Sequence, residues 1–439
     1  MWTYYPELLA TPVPRYTSFP TAAEFGEIDA RDMKEALEGV AADAPVSLYL
    51  HIPYCHEICW YCGCNTGAAN RTARVAAYLE RLTEEVRLVA RHLGGRGRVG
   101  RIAFGGGSPN ALSPHQFAAL LREVRTAFDC ANAAVSVELD PRRFEARWDE
   151  AFASASVTRA SLGVQTFSPE LQRAIGRVQP TEMIAEVTAR LRAAGVSSIN
   201  FDLMYGLPGQ DASLLLDTID IALEMQPDRL AVFGYAHVPH LIPRQRQIDS
   251  RALPGAEARF RQAEAAHSRL AGAGWQSIGF DHFAQPHDEL ALAARSETLR
   301  RNFQGFTDDT ADVLVGLGAS AISMFPGLLV QNEKNVGRYH LRIAHGGFAS
   351  ARGVRRDRID RRRGLAIEQL LCRGSVDLTG LPDRSTIRER MAPFAACGLV
   401  RWLGERLILA PEAMPYARAI AATIDPYSQH SATRFSSAV

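Results

Sequence analysis

A regular alternation of short apolar runs and helical patterns occupies the chain from residue 46 to residue 234. The apolar runs predict buried strands, and the segments between them repeat apolar residues at helical spacing. This alternation is typical of parallel βαβ units, and six of them predict an α/β fold, an open or complete barrel. The predicted strands are Val46–Ile52, Val99–Phe104, Ala134–Leu139, Thr158–Val164, Ser197–Leu203 and Arg229–Gly234. The predicted helices are Ala73–His92, Pro114–Phe128, Thr181–Ala194 and Ala212–Met225.

The segments on either side of this alternation predict smaller parts of the fold. Residues before the first strand are irregular and proline-rich, with one short helix near Asp29–Gly39. Near the other end, Leu399–Leu403 and Arg406–Leu409 predict a hairpin after helices, which is typical of a winged-helix-like module. We therefore predict an N-terminal arm over the barrel mouth (1–45), a catalytic barrel (46–290), a barrel-completing and substrate-proximal segment (291–350) and a small, mostly helical C-terminal domain (351–439).

The charge balance gives no reason to expect a polyanionic partner. The 49 basic and 48 acidic side chains leave a net charge of +1, so neither nucleic acid nor a membrane is an expected partner. No apolar run reaches the roughly 18 residues that span a bilayer, and the N-terminus lacks the features of a signal peptide. We expect a cytoplasmic monomer whose cysteines stay reduced, so a tight cysteine cluster indicates metal binding or catalysis rather than disulfides.

Four cysteines lie within ten residues directly after the first predicted strand. Cys55, Cys59 and Cys62 form a C-x3-C-x2-C pattern, and Cys64 follows two residues later. Three closely spaced thiolates can bind three irons of a [4Fe–4S] cluster and leave the fourth iron open. This spacing is typical of radical S-adenosylmethionine enzymes, in which that iron binds S-adenosylmethionine and the reduced cluster generates a 5′-deoxyadenosyl radical.

Other roles for these cysteines remain open at this point. Four thiolates, including Cys64, also satisfy the ligand number of a tetrahedral zinc site, although zinc ligands usually occur as two separated pairs. Buried thiols without any metal are the third alternative. Cys64 is either a fourth cluster ligand or a bystander, and we favour the bystander. The isolated cysteines are interpreted as core residues: Cys130, Cys372 and Cys397.

Sequence blocks along nearly the whole chain carry a more specific resemblance. They are Pro14–Ala22, Leu48–Cys55, Gly105–Pro109, Ser161–Gln165, Asp202–Gln210, Tyr235–Pro239, Asp281–Phe283, Arg301–Gly305 and Gln331–Asn332. With these blocks in this order, the chain resembles the oxygen-independent coproporphyrinogen III oxidases, also called dehydrogenases. The resemblance implies a partial (β/α)6 TIM-like barrel of the radical S-adenosylmethionine type.

The resemblance also implies which residues hold the cofactors. Cys55, Cys59 and Cys62 are the implied cluster ligands, and with Tyr49 they are the implied catalytic residues. The implied cofactors are one [4Fe–4S] cluster and S-adenosylmethionine, with a second S-adenosylmethionine beside the first. Implied S-adenosylmethionine contacts are Tyr49, Tyr61, Gly106, Gly107, Ser108, Glu138, Gln165, Arg177, Asp202, Ala236 and Ile322.

Several of these contacts can also be interpreted from the chemistry of the residues alone. Gly105–Gly107 lets a backbone approach a ligand without a Cβ atom, and a plain tight turn is the alternative. Glu138 ends a strand and can accept hydrogen bonds from ribose hydroxyls, with a surface acid as the alternative. His51, His237 and His282 are interpreted as structural rather than catalytic.

The implied reaction converts two propionates of coproporphyrinogen III to vinyl groups and gives protoporphyrinogen IX. Its implied partners are the tetrapyrrole substrate and an electron donor such as a flavodoxin or ferredoxin. Arg15 and Arg301 are candidate substrate contacts because arginine binds carboxylates through two parallel hydrogen bonds, and structural ion pairs are the alternative.

Three segments depart from the family pattern. Arg300 occupies an expected histidine position, Phe306 an expected tyrosine position, and Ile424–Tyr427 replaces a Phe-Asp-Ala-Tyr type of segment. The first two changes put the exact tetrapyrrole substrate in question. A radical enzyme that methylates or opens another tetrapyrrole, and a haem-carrying chaperone, are therefore the alternative functions.

Overall fold

Seven parallel strands form the centre of the molecule in the computed structural model, which describes residues 2–428. In chain order they are β1 (Pro45–Ile52), β2 (Arg98–Gly106), β3 (Ala134–Leu139), β4 (Val157–Gln165), β5 (Ser198–Tyr205), β6 (Arg229–Gly234) and β7 (Val313–Leu317). Their order in the sheet is β7-β1-β2-β3-β4-β5-β6. All six predicted strands are confirmed to within two residues, and β7 adds a parallel neighbour to β1.

The connecting helices begin and end where local signals specify. Ser113 and Gln116 form a capping box that starts one helix, with Pro114 in its first turn. Another helix ends at Gly94, whose left-handed conformation suits glycine. The helices between β1 and β6 are Thr72–Leu93, Pro114–Ala127, Arg147–Ala155, Pro169–Ala174, Thr181–Ala193 and Ala212–Glu224. Outside this region lie Pro6–Leu9, Ala30–Glu38, Ala256–Gly272, Glu289–Arg295 and Val336–Ala344.

The sheet curves around a cavity but does not close. Side chains from β2 to β6 line one cavity of about 340 Å³, so these strands share a concave face. Antiparallel strands extend both ends of the sheet, and its outermost strands are Gly26–Glu27 and Gln276–Ile278. The predicted partial barrel is therefore confirmed. The remaining antiparallel strands are His282–Ala284, Ile322–Phe325, Leu328–Asn332 and Ser350–Arg355, and Tyr54–Cys55 pairs separately with Gly67–Ala68.

A segment after residue 299 seals the amino-terminal end of the barrel. It begins with a hairpin of Arg300–Asn302 and Gly305–Thr307. Asp308 then accepts hydrogen bonds from Arg101 in β2 and Arg159 in β4 at 2.6–3.2 Å. These ion pairs tie the segment to the amino-terminal halves of β2 and β4.

The N-terminal arm runs across the barrel to the end of the chain. Trp2 packs on Phe260, and the Tyr5 amide donates to the Tyr416 hydroxyl at 2.8 Å. Further along, the Tyr16 hydroxyl donates to Asp425 at 3.0 Å. The first and the last described segments of the chain are thus in direct contact.

Two predicted domain boundaries fall inside structural elements. Residue 351 lies within the strand Ser350–Arg355, which pairs with Leu328–Asn332 and extends the barrel sheet to residue 355. The boundary after residue 290 falls within the helix Glu289–Arg295. Apolar alternation weakens in both regions, so the sequence pattern alone did not mark these ends.

The C-terminal part has the predicted winged-helix-like order of elements. A hairpin of Val400–Leu403 and Arg406–Leu409 pairs with Ser375–Asp377 in a three-stranded sheet. The helices of this part are Arg358–Arg373, Arg384–Ala396 and Ala417–Ile424. Residues 429–439 of the predicted domain lie outside the described residues. Within residues 2–428, no helix combines the length and the apolar character needed to cross a membrane.

Candidate active site

The cysteine loop leaves β1 at the carboxyl end of the barrel. Cys55 and Cys59 are buried, Cys62 is half-buried and Cys64 is exposed. The Gly107 amide donates to the Ile52 carbonyl at 2.8 Å, so the loop after β2 is fixed against the start of the cysteine loop. This contact places the glycines after β2 and the cysteines in one site.

Hydrogen-bond donors surround the three sulfur atoms of the predicted ligands. The Thr66 hydroxyl donates to Cys55 Sγ at 3.1 Å, and the Cys64 amide donates to Cys62 Sγ at 3.4 Å. Cys59 Sγ accepts from Arg177 Nη1 at 3.2 Å and Arg142 Nη2 at 3.6 Å. A hydrogen bond with the Cys64 side chain lowers the pKa of Cys62 to about 6, whereas burial raises the pKa of Cys55 to about 11. Contact with Arg142 was not predicted, although its position just after β3 was a signal for it.

Three cysteines with a hydrogen-bond donor at each sulfur form a donor set that suits an iron–sulfur cluster. No group of three or more His, Cys, Asp or Glu side chains within residues 2–428 is arranged to hold one metal ion. Thiolates of a cluster bind separate irons and stand further apart than ligands of one zinc ion. Donors to sulfur are also a feature that sets the potential of such clusters.

The glycines after β2 make room for protein groups. A Cβ atom on Gly106 would lie 2.5 Å from the His51 ring, and one on Gly107 would lie 2.5 Å from Thr66 Oγ1. A Cβ on Gly105 would lie 2.7 Å from the Glu138 carboxyl group. The missing Cβ atoms permit a close approach of His51, Thr66 and Glu138, and a ligand contact of these glycines stays a prediction.

Carboxyl groups line the lumen below the cysteine loop. Glu138 accepts a hydrogen bond from the Gly106 amide at 3.2 Å, and Asp202 accepts from Ser161 and Asn200 at 3.1 and 2.8 Å. Burial, with a smaller effect of the nearby Asp202 charge, raises the pKa of Glu138 to about 7. Both carboxyl groups line the 340 Å³ cavity, so they face a common ligand space.

A tyrosine–histidine pair stands on the β1 side of the same site. The Tyr49 hydroxyl lies 3.3 Å from His51 Nδ1, and the other ring nitrogen of His51 lies 3.2 Å from the Asn65 carbonyl. Phe303 packs edge-on against Tyr49, with ring centroids 4.9 Å apart. Burial lowers the pKa of His51 to about 4, so the imidazole is neutral at pH 7. A neutral ring with a hydrogen-bond partner at each nitrogen agrees with the structural role predicted for this histidine.

The other predicted contacts occupy the carboxyl ends of the strands. Gln245 Nε2 donates to the carbonyls of Tyr61 and Ala236 at 2.9 and 3.0 Å, which ties the cysteine loop to the segment after β6. Gln165 ends β4 in the left-handed region, with φ of 68°. Ser108 is turned inward and its hydroxyl bonds Asn110 and the Asp140 amide, so its side chain supports the loop.

Several known proteins are similar to this chain in sequence. The family model of the radical SAM superfamily matches residues 49–222. An oxygen-independent coproporphyrinogen III oxidase of Bradyrhizobium diazoefficiens is 44% identical over 425 residues, which are 94% of each chain. A protein of the same name from Pseudomonas aeruginosa is 38% identical and covers 94% of this chain and 93% of its own. The chain belongs to the oxygen-independent coproporphyrinogen III oxidases.

A solved structure agrees with this assignment. The coproporphyrinogen III oxidase of Escherichia coli, described as a radical SAM enzyme, superposes with a TM-score of 0.91 at 34% identity, over 97% of this chain and 99% of that one. As a member of the oxidase family, this chain is a radical S-adenosylmethionine oxidoreductase, and the predicted fold and family are confirmed. S-adenosylmethionine and an iron–sulfur cluster are the cofactors of its superfamily.

The two departures that put the substrate in question lie in different surroundings. Phe306 lines the lumen and packs against His282, with ring centroids 5.5 Å apart. Arg300 is instead held by Glu368 and Asp312 at 2.8 and 3.0 Å and lines a separate cavity of about 230 Å³. Only the Phe306 change therefore faces the ligand space that Glu138 and Asp202 line.

The two predicted substrate arginines are placed differently from one another. Arg15 is exposed on the arm, and its Nη2 lies 3.4 Å from the Gly234 carbonyl at the end of β6. Arg301 is buried and donates to the carbonyls of Tyr16 and Arg15 at 3.2 and 3.0 Å. Arg301 thus holds the arm in place through its main chain, without an ion pair to any described carboxylate.

A buried glutamate behind the site was not predicted. Glu85 accepts hydrogen bonds from the Gly318 amide, the Asn332 side chain and the Tyr339 hydroxyl at 2.6–2.8 Å. These bonds fix the turn after β7, whose Ser320 hydroxyl lies 3.4 Å from His51. In the sequence Glu85 is one of several glutamates of an amphipathic helix, so no pattern distinguished it. Its partner Asn332 belongs to a family block and gains a physical role here.

Glu85 is expected to make the protein less stable as the pH rises from about 4.5 to about 7. Burial raises its pKa from 4.5 to about 7, despite the three hydrogen bonds that oppose the shift. The folded protein therefore binds more protons than the unfolded chain in this range, and the free energy of unfolding falls by about 3 kcal/mol. Because glutamine does not titrate, Glu85→Gln should remove this decrease in the free energy of unfolding between pH 5 and pH 8.

Anaerobic denaturant titrations at the two pH values measure this effect. The exposed Glu80 on the same helix provides a matched control, Glu80→Gln, which should keep the pH dependence of the wild type. Tyr78 and Tyr339 also face Glu85, but both tyrosines stay neutral over this range because their pKa values are raised by burial. Equal pH dependence in wild type and Glu85→Gln would contradict the assignment.

Proposed function

We propose that this chain catalyses the oxygen-independent oxidative decarboxylation of two propionates of coproporphyrinogen III to vinyl groups, giving protoporphyrinogen IX. The named activity of relatives that match over 94% of the chain supports this substrate. The structural observation that carries the proposal is the meeting of three donor-surrounded thiols with the Glu138 and Asp202 carboxyl groups at one end of the barrel. This arrangement provides a cluster site directly above a polar ligand space.

We assign cofactor roles to the residues at this end of the barrel. Cys55, Cys59 and Cys62 would hold a [4Fe–4S] cluster, which when bound to S-adenosylmethionine supplies the radical that removes a hydrogen atom from a propionate. A second S-adenosylmethionine beside the first, and a flavodoxin or ferredoxin as electron donor, belong to the same proposal. The proposed S-adenosylmethionine contacts are Tyr49, Tyr61, Gly106, Gly107, Ser108, Glu138, Gln165, Arg177, Asp202, Ala236 and Ile322.

The side chains act by binding and orienting rather than by proton transfer. Glu138 and Asp202 face the lumen as hydrogen-bond acceptors suited to ribose hydroxyls. Tyr49 is held between His51 and Phe303, so its hydroxyl is fixed toward the site. The arm, anchored by Arg301, covers the approach to the strand ends and would keep water and oxygen from reactive species.

An anaerobic assay on cluster-reconstituted protein tests this function. Coproporphyrinogen III, S-adenosylmethionine, a reductant and cell extract as electron acceptor are added, and the porphyrins are separated after oxidation. We expect protoporphyrin together with 5′-deoxyadenosine. Deoxyadenosine without protoporphyrin would reject the substrate and direct the same assay to haem and other tetrapyrroles. Neither product from protein with an intact cluster, combined with tight haem binding, would favour a haem carrier.

A further inference from the structure

Four arginines gather beneath the arm at the carboxyl ends of β5 and β6. We call Arg15, Arg259, Arg301 and Arg418 the arginine cluster. Arg15 belongs to the arm, Arg259 to the helix Ala256–Gly272 and Arg418 to the helix Ala417–Ile424. With Arg301 in the strand Arg300–Asn302, four separate parts of the chain therefore bring a guanidinium group to the same place.

Contacts around the strand ends define this place. The Arg259 guanidinium lies beside both glycines at the strand ends: a Cβ atom on Gly206 would be 3.3 Å from its Cζ, and one on Gly234 would be 3.1 Å from its Nη2. Arg15 Nη2 reaches the Gly234 carbonyl at 3.4 Å. Arg301 and Arg418 lie over the same ring, that of Phe280, at 4.9 and 5.4 Å from its centroid.

The arginine cluster has no direct ion pair among the described residues, although the Asp281 carboxylate favours the charged forms of Arg301 and Arg418 from nearby. Within residues 2–428, Arg15, Arg259 and Arg418 form no ion pair, and the structure gives Arg259 and Arg418 no hydrogen bond. Two buried nitrogens, Arg259 Nε and Arg301 Nη1, also lack a hydrogen-bond partner. The nearby Asp281 carboxylate is engaged by His282 at 2.6 Å.

Partly buried guanidinium groups without an ion pair lower the free energy of unfolding unless a bound anion pairs with them. Burial, together with repulsion from Arg15, lowers the pKa of Arg418 to about 10 and also lowers that of Arg259. Unpaired cations in a partly buried site are unfavourable, and proteins normally pair them or use them to bind ligands. The arginine cluster is thus built for a ligand that carries several negative charges.

We propose that the arginine cluster binds propionate carboxylates of the tetrapyrrole, with Arg259 and Arg418 as specificity-determining residues. This inference rests on the proposed function and identifies the contacts that recognise its substrate. A tetracarboxylate supplies several anionic groups on one rigid frame, and guanidinium groups bind carboxylates through paired hydrogen bonds. Because Arg15 belongs to the arm, binding of a carboxylate there also links the arm to the substrate.

Binding and turnover are measured on the anaerobic holoenzyme with Arg259→Gln, Arg418→Gln and Arg418→Lys. Coproporphyrin III, a stable tetracarboxylate, is titrated by fluorescence, and the KM for coproporphyrinogen III is determined alongside. Loss of one charge-assisted hydrogen bond should raise Kd and KM roughly 10- to 100-fold in each glutamine variant, with a smaller rise for lysine. Arg98→Gln is the matched control, since Arg98 pairs with Asp43 at the amino end of β2 and is 77% exposed.

Two further readouts separate this role from a structural one. The thermal midpoint of Arg259→Gln and Arg418→Gln should not fall, because each change removes an unpaired cation. Their Kd for S-adenosylmethionine should stay that of the wild type, whereas a selective rise in this Kd would overturn the inference and assign the arginine cluster to the cofactor carboxylate.

The outcomes also distinguish this inference from the proposed function. An active wild type whose glutamine variants bind coproporphyrin III equally well would overturn the inference and leave the function standing. A wild type that binds coproporphyrin III without turnover, with binding lost in the variants, would support the arginine cluster and reject the reaction. Absence of both binding and turnover in the wild type would overturn both.

Discussion

Replacing Cys59 with alanine is expected to abolish both 5′-deoxyadenosine and protoporphyrin formation. Cys59 is buried and is the sulfur that both Arg142 and Arg177 contact. Without it the loop retains two of the three proposed ligands, so the cluster should be lost or strongly depleted. Iron and sulfide content after anaerobic reconstitution, the absorbance of the cluster and both products provide the measurement.

A matched control is available within the same loop. Cys64 is exposed, and Cys64→Ala retains the backbone amide contact to Cys62 Sγ while removing the side-chain contact between the two thiols. Iron content and product formation should therefore stay near wild type in Cys64→Ala. Loss of iron in both variants would contradict the three-ligand assignment and favour a site with four thiolate ligands.

Replacing Arg177 with alanine is expected to destabilise the protein by about 3 to 5 kcal/mol, the range for breaking a buried charge pair. Arg177 is buried and contacts Cys59 Sγ, the Gly163 carbonyl and Asp140 at 2.9–3.3 Å. Without Arg177, Asp140 keeps Arg142 as its arginine partner. Cys59 Sγ also loses the shorter of its two hydrogen bonds and keeps the one from Arg142. Anaerobic denaturant unfolding measures the loss, and iron content reports the effect on the site.

Arg173→Ala is the control for this prediction. Arg173 lies four residues earlier and is exposed on the helix Pro169–Ala174, so its loss should change the free energy of unfolding by less than about 0.5 kcal/mol. Equal stability of the two variants would show that the contacts of Arg177 do not hold the site together.

The elements that the sequence predicted well are those with local signals. The barrel strands are continuous apolar runs, and the helix near Asp29–Gly39 has its predicted ends because Asp29 caps Ala30–Glu38 and Gly39 follows it. The cysteine spacing predicted where the site lies, and the structure places the three predicted ligands together with the lumen carboxyl groups.

Other features depend on contacts between distant parts of the chain. Glu85 and Gly318 are hydrogen-bonded although they lie 233 residues apart in the sequence, and Arg142 and Cys59 are in contact at a separation of 83 residues. Likewise, Arg418 joins Arg15 only because the C-terminal helix packs beside the arm. A single sequence contains no period or spacing that links such pairs, so their roles became visible only in three dimensions.

The contact between the two ends of the chain has a consequence for how the molecule is made. Tyr16 in the arm bonds Asp425, and Tyr5 bonds Tyr416. Tyr5 and Tyr16 are synthesised 411 and 409 residues before these partners, so the arm can make these contacts only after residues 416–425 have left the ribosome.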